Sequence, residues 1–207
     1  MIHLLVATIA ALFPITNPIG AVAVYASMSA RMSERERNKQ AILTAIYVFA
    51  ILAVFAIAGP MLLKGLGLTI PALQIAGGLV VGHSGYAMLG AKQQLSDAEH
   101  KHAGTKVEAQ QDIAFTPMAL PMIAGPGAIG VVIALGAKHT FGIETAGMVI
   151  GIAVMALIIG LCLRFGTEAI QKMGPTGVGA LSRIMGFLIL AIGVQLIIAG
   201  VTTQLPH

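Results

Sequence analysis

Charge is what this sequence has least of. Only 10% of its 207 residues are Asp, Glu, Lys or Arg, where a soluble domain carries about 25%, so water is not its main solvent. Tryptophan is absent and cysteine occurs once, as Cys162. One thiol inside an apolar run excludes a disulfide framework and reads as a small packing residue. No Gly-rich phosphate-binding motif of the P-loop kind occurs, so ATP would have to act through a partner. No strictly alternating apolar segments occur, which excludes a membrane β-barrel. The net charge of +4 is no nucleic-acid signal, because the basic residues are spread between apolar runs.

What is present is long apolar stretches, which make up most of a chain that is 57% hydrophobic. A bilayer core of about 30 Å takes about 20 apolar helical residues to cross. Six stretches reach that length: residues 2–29, 40–63, 70–91, 113–137, 141–163 and 180–203. The fold class predicted is therefore all-α, with six transmembrane helices. The first basic residue is Arg31, so the opening stretch lacks a basic leader and is expected to stay as a helix.

The loops give an orientation, because cytoplasmic loops collect Lys and Arg. Arg31, Arg35, Arg37, Lys39, Lys92, Lys101, Lys106, Arg164, Lys172 and Arg183 fall on one side, and only Lys64 and Lys138 on the other. Both termini are thus expected outside the cytoplasm. The polar stretch 92–112 reads as a cytoplasmic linker between residues 1–91 and 113–207. Its His100 and His102 have a spacing open to metal, but a solvated linker explains them as well, and no metal site is expected.

The two halves repeat. Asn17-Pro18-Ile19-Gly20 and Gly125-Pro126-Gly127-Ala128 stand 108 residues apart, Pro18 to Pro126, and Ile75-Ala76-Gly77-Gly78 has a weaker echo around Ile184-Met185-Gly186. Three helices per half is an odd number, so the second copy is inserted upside down. Such inverted repeats place the binding site where broken helices meet, near the midplane. Proline in a helix removes an N–H and clashes with the carbonyl four residues back, at about 3 kcal/mol. Two prolines per segment, Pro14 with Pro18 and Pro121 with Pro126, therefore predict that helices 1 and 4 break near the midplane. Asn17 and Gly125 stand as caps, with proline at the first helical position.

Each new half-helix presents free N–H groups and the positive end of its dipole to the membrane centre, which suits an anionic group such as a carboxylate. Candidate substrate-binding residues are Thr16, Asn17, Pro18, Gly20, Gly125, Pro126, Gly127 and Ala128. The bland reading is a pair of packing kinks; two kinks at matching places favour a site. No Asp, Glu, Lys or Arg lies near the middle of a span, which excludes the usual carboxylate proton relay. His83 is the one titratable group near mid-depth and the candidate for proton coupling, against the plainer reading of a structural hydrogen-bonder. His83 and Ser84 point about 100° apart on a helix and do not form a hydrolase pair, so no enzyme is expected. Gln74 and Gln195 read as interhelical hydrogen-bonders. Gly78 with Gly82, and Gly147 with Gly151, read as close helix contacts.

With these residues in place the chain resembles the MarC family of bacterial and archaeal membrane proteins, named for a proposed link to multiple antibiotic resistance. The resemblance rests on Asn17-Pro18-Ile19-Gly20, on Pro117-Met118-Ala119-Leu120-Pro121 running into Ala124-Gly125-Pro126-Gly127-Ala128-Ile129, on Ile75-Ala76-Gly77-Gly78 and on Leu181-Ser182-Arg183-Ile184-Met185-Gly186. It covers essentially the whole chain. Many members have Asp where this chain has Asn17. The family is similar to the lysine exporters, and some relatives are described as transporters of small neutral amino acids. The resemblance thus implies a plasma (inner) membrane location and alternating-access transport of glycine or alanine. The implied partners are a small-molecule substrate, a coupled proton or sodium ion and the lipid bilayer, with no cofactor and no nucleic acid; an oligomer is compatible with the sequence. Different classes remain beside it: a passive channel for small solutes, or a non-transporting structural or regulatory membrane protein.

The charge asymmetry makes a direct prediction. Cytoplasm-active reporters fused after residues 35, 100 and 172 should be active, and the same reporters after residues 67 and 140 silent. The reverse pattern would invert the orientation.

Overall fold

A computed structural model describes residues 2–90, 112–137 and 142–204. The elements among them are all helical: α1 (Ile2–Thr16), α2 (Pro18–Met28), α3 (Glu34–Gly65), α4 (Ile70–Gly90), a segment of wide turns (Ala114–Ile123), α5 (Pro126–Ala137) and α6 (Ile143–Gln204). The expected linker 92–112, with His100 and His102, lies outside the described residues except for Asp112.

Local chemistry sets several boundaries. Ser33 opens α3 with a capping box: its hydroxyl accepts from the Glu36 N–H at 3.3 Å, and the Glu36 carboxylate accepts from the Ser33 N–H at 2.9 Å. This pairing satisfies two end groups at once. At 32 residues α3 is about 48 Å long at 1.5 Å per residue, longer than a hydrocarbon core of about 30 Å. The Tyr25 hydroxyl donates to the Arg37 carbonyl, tying the end of α2 to the start of α3. The side chain of Gln40 reaches across the two halves: its Oε1 accepts from the Ala114 N–H at 2.9 Å.

Among the described residues, three unbroken helices are long and apolar enough to cross a membrane: Glu34–Gly65, Ile143–Thr167 and Thr176–Thr203. Two bent pairs raise the number to five if each pair is one span: α1 with α2, bent by 45°, and Ala114–Ile123 with α5, bent by 65°. The expected stretch 70–91 forms α4, 21 residues long, but Gln74, His83, Ser84 and Tyr86 dilute its apolar character and it is not among those spans. The polar region 164–183, expected as a loop, is helical; α6 runs through it with one interruption at Gly174, whose φ is 67°. Glycine adopts that conformation without a β-carbon clash, and the interruption divides α6 into two arms.

Leu12, Tyr25, Val48, Leu52, Met118, Ile123, Val132, Ile152, Met155 and Ile159 form a fully buried core. It lies between α1–α2, α3, the wide-turn segment, α5 and the first arm of α6. The outer faces stay apolar, as with Ile42, Ile46 and Val54 on α3 and Leu157, Leu161 and Phe165 on α6. An apolar exterior over an apolar core is the pattern of a chain solvated by lipid.

The tightest packing joins α4 to the second arm of α6, running antiparallel. A β-carbon on Gly78 would lie 2.6 Å from the Gly193 carbonyl oxygen, one on Gly85 2.4 Å from the Leu190 nitrogen, and one on Gly193 2.5 Å from the Gly82 nitrogen. Backbone thus meets backbone, the geometry that small residues permit between membrane helices. Gly85→Ala and Gly193→Ala should each lower stability by about 1–3 kcal/mol through overpacking, read as a lower thermal midpoint in detergent. Gly77→Ala, where a β-carbon meets nothing within 4 Å, should leave the midpoint unchanged or slightly raised.

Candidate functional site

The two proline motifs break their helices where the sequence places the breaks, by different means. At the first, α1 ends at Thr16 and Asn17 adopts φ 43° and ψ 65°, a left-handed conformation that Asn tolerates better than most residues. Its Oδ1 accepts from the Gly20 N–H at 3.1 Å, and its carbonyl accepts from the Ala21 N–H at 3.0 Å. The start of α2 is therefore capped from within. A β-carbon on Gly20 would lie 2.3 Å from Asn17 Nδ2, so glycine there makes room for the folded-back amide. The Thr16 hydroxyl is buried and donates to the Leu12 carbonyl at 3.0 Å, which leaves only its lone pairs for anything else.

The second break has no side-chain cap from its own N-cap position, because that residue is Gly125. The Gly125 carbonyl accepts from the Ile129 N–H at 3.0 Å and starts the α5 ladder. Pro126 has no N–H, and the N–H groups of Gly127 and Ala128 follow at the buried start of the helix. Before the break, Thr116 and Leu120 are extended, with φ −126° and −123°. Both precede prolines, whose rings push the preceding residue out of the helical region. The turns close instead through i→i−5 bonds, Met118 N–H to the Ile113 carbonyl at 3.2 Å and Ala124 N–H to the Ala119 carbonyl at 2.9 Å. The fourth stretch was expected to be a helix on both sides of its break; its first part is these wide turns. A β-carbon on Gly125 would lie 2.4 Å from the Pro121 carbonyl oxygen, so only glycine lets the chain double back here.

The structure brings the start of α5 against the end of α1. The open side of Gly127 faces Val81 Cγ2 at 2.5 Å and Ile15 Cγ2 at 3.6 Å from a β-carbon placed on it. Pro18 and Ala128 are buried, Asn17, Gly20 and Gly125 are half-buried, and Pro126 is exposed. His83 is not part of this cluster: it is exposed and two residues beyond Val81, about 200° round the helix. Ser84 donates to the Val80 carbonyl of its own helix. Gln74 is buried, whereas Gln195 is exposed. Among the described residues no three of His, Cys, Asp and Glu come together as metal ligands.

Sequence reasoning missed Met88. Its Sδ lies 3.7 Å from Asn17 Nδ2, across 71 residues of chain. No local pattern points to it, since Met on an apolar helix reads as core. The breaks supply carbonyl oxygens, oriented N–H groups and one carboxamide, with no formal charge of their own. Such a set has the hydrogen-bonding capacity to hold a small polar molecule by dipoles alone.

Residues 2–205 match the MarC family of integral membrane proteins. The chain is 36% identical to the inner membrane protein MarC of Citrobacter koseri, 37% to that of Salmonella typhimurium and 36% to that of Escherichia coli O1:K1, in each case over 92% of this chain and 90% of the relative. No solved structure matches it.

The break chemistry predicts an order of stabilities at Asn17. Asn17→Asp keeps an oxygen for the Gly20 N–H and should hold the thermal midpoint near wild type. Asn17→Gly keeps the backbone but loses the cap, a small loss of a few tenths of a kcal/mol. Asn17→Leu loses the cap and adds left-handed strain, together about 2 kcal/mol or more, and should show the largest drop.

Proposed function

This chain belongs to the MarC family of integral membrane proteins, and from that premise we propose that it is a secondary transporter of small neutral amino acids, glycine or alanine in type. It works by alternating access and resides in the inner membrane named for its relatives. The observation that carries the proposal is the pair of helix breaks at Asn17-Pro18 and Gly125-Pro126, with the start of α5 packed on the end of α1. In this reading the substrate carboxylate takes the N–H groups at the start of α5 together with the Asn17 amide, by dipole and hydrogen bond. The ammonium group takes carbonyls of the wide-turn segment and of the end of α1. Glycine and alanine suit a site whose walls are Gly20, Gly125, Gly127 and Ala128.

The same proposal carries six spans in two inverted halves, with both termini outside and the breaks near the midplane. Its support is the offset of 108 that relates Pro18 to Pro126. The same offset relates Gly78 to Gly186 and Gly85 to Gly193. In the antiparallel seam Gly78 meets Gly193, and a β-carbon on Gly85 would lie 2.7 Å from the Gly186 carbonyl oxygen. Adding 108 to one member and subtracting it from the other turns the first contact into the second, as a two-fold axis between the halves would. α4 then serves as the third span of the first half. His83, turned away from the breaks, stays the marginal candidate for coupling to a proton, with sodium as the other coupling ion.

The test is uptake of labelled alanine and glycine into liposomes holding purified protein, with and without proton or sodium gradients. Saturable, gradient-driven uptake by the wild type, lost in Asn17→Leu, is expected. Flux that follows the gradient without saturating would instead mark a passive channel. Absence of any flux from correctly inserted protein would leave the structural role.

A further inference from the structure

The Asn17 carboxamide is fixed at one end and poorly served at the other. Its Oδ1 is held by the Gly20 N–H at 3.1 Å, which also fixes where Nδ2 points. Nδ2 points at the Met88 sulfur, 3.7 Å away on α4. A thioether is a weak acceptor, and an amide N–H ordinarily sits about 2.9 Å from an oxygen. A donor so placed in a half-buried position gains by exchanging sulfur for oxygen, and most of all for a carboxylate, whose charge-assisted bonds are roughly twice as strong as neutral ones.

Met88 is built to give way. Its stem is pinned: a β-carbon on Gly186 would lie 2.8 Å from Met88 Cβ, so α4 and the second arm of α6 hold the base of the side chain. Its tip is unbranched and turns about three bonds, which lets a methionine repack at little cost. Met88 is half-buried and Gly186 is buried, so a displaced tip stays within the protein.

Resting on the transporter reading above, we propose that Met88 is a specificity-determining residue. Its thioether competes with the substrate for the Asn17 amide, and its tip limits the size of side chain that the first break admits. The amide then passes from sulfur to carboxylate as substrate enters. The volume left by the methionine tip is what a substrate methyl or hydrogen occupies. Larger amino acids are refused because the tip, on a stem pinned against Gly186, cannot clear the site entirely.

Two variants separate the two effects in liposome uptake. Met88→Leu keeps the volume and removes the acceptor. Its half-saturating alanine concentration should fall by about threefold to tenfold, the factor that one net hydrogen bond is worth, with the ratio of valine to alanine uptake unchanged. Met88→Ala removes the tip, and that ratio should rise roughly tenfold or more, as deletion of wall atoms does in apolar pockets. Thermal midpoints of both variants show whether either has merely lost its fold, and the conservative leucine variant stands if alanine does not. If folded variants keep the wild-type half-saturation and the wild-type ratio, Met88 is a packing residue and the proposal is overturned while the transporter reading survives. If the wild type itself takes up neither amino acid, the transporter reading falls and this proposal with it.

Discussion

A backbone in hydrocarbon has only itself to bond with, and every irregularity in this chain is shaped by that constraint. Unsatisfied N–H and C=O groups cost several kcal/mol each in lipid, so a chain carrying Pro14, Pro18, Pro117, Pro121 and Pro126 in apolar segments must cover what the prolines uncover. The cover here is tertiary. Val81 of α4 and Ile15 of α1 close over Gly127, Gln40 of α3 accepts from Ala114, and Met118, Ala119 and Ala124 are fully buried in the core.

The two breaks solve this problem differently, and the difference comes down to one side chain. Asn17 both ends α1 and supplies an oxygen to the first turn of α2, so the first break is largely self-contained. Gly125 supplies none, and the first break's chemistry is therefore carried by a carboxamide while the second's is carried by bare backbone. A carboxamide holds no charge at any ordinary pH, so the first break as it stands needs no cation beside it. For the transporter proposed above, a set of dipoles suits a zwitterion, since neither end of the ligand has to displace an ion from the protein.

The glycine seam between α4 and the second arm of α6 does a separate job. With Gly78, Gly82, Gly85, Gly186 and Gly193 facing one another, the two helices approach until backbone touches backbone, and dispersion and weak Cα–H contacts replace the side-chain packing of a soluble core. The pair is stiff in separation, because no side chain can be squeezed out of it. It also anchors Met88 through Gly186, so the same helix pair also supplies the side chain facing Asn17.

Much of this was legible from residue order. Apolar runs named the solvent, the proline pairs named the breaks to the residue, and Asn17 was read as a cap because Asn before proline has few other uses in a helix. Other features were not legible. The wide turns at Ala114–Ile123 differ from α1 because two extended pre-proline residues add together, which no count of apolar residues registers. The helical path through 164–183 arose because polarity alone does not stop a helix; its interruption falls at Gly174. What the sequence by itself determined, then, was the membrane class and the places where helices must break, since both follow from the short-range chemistry of lipid solvation and proline. What only the tertiary structure decided was which groups face the breaks: Met88 against Asn17, Val81 against Gly127, and His83 turned away. Those pairings depend on how helices from distant parts of the chain rotate and slide against one another, and backbone contact through glycines sets that in three dimensions without leaving a local pattern in the sequence.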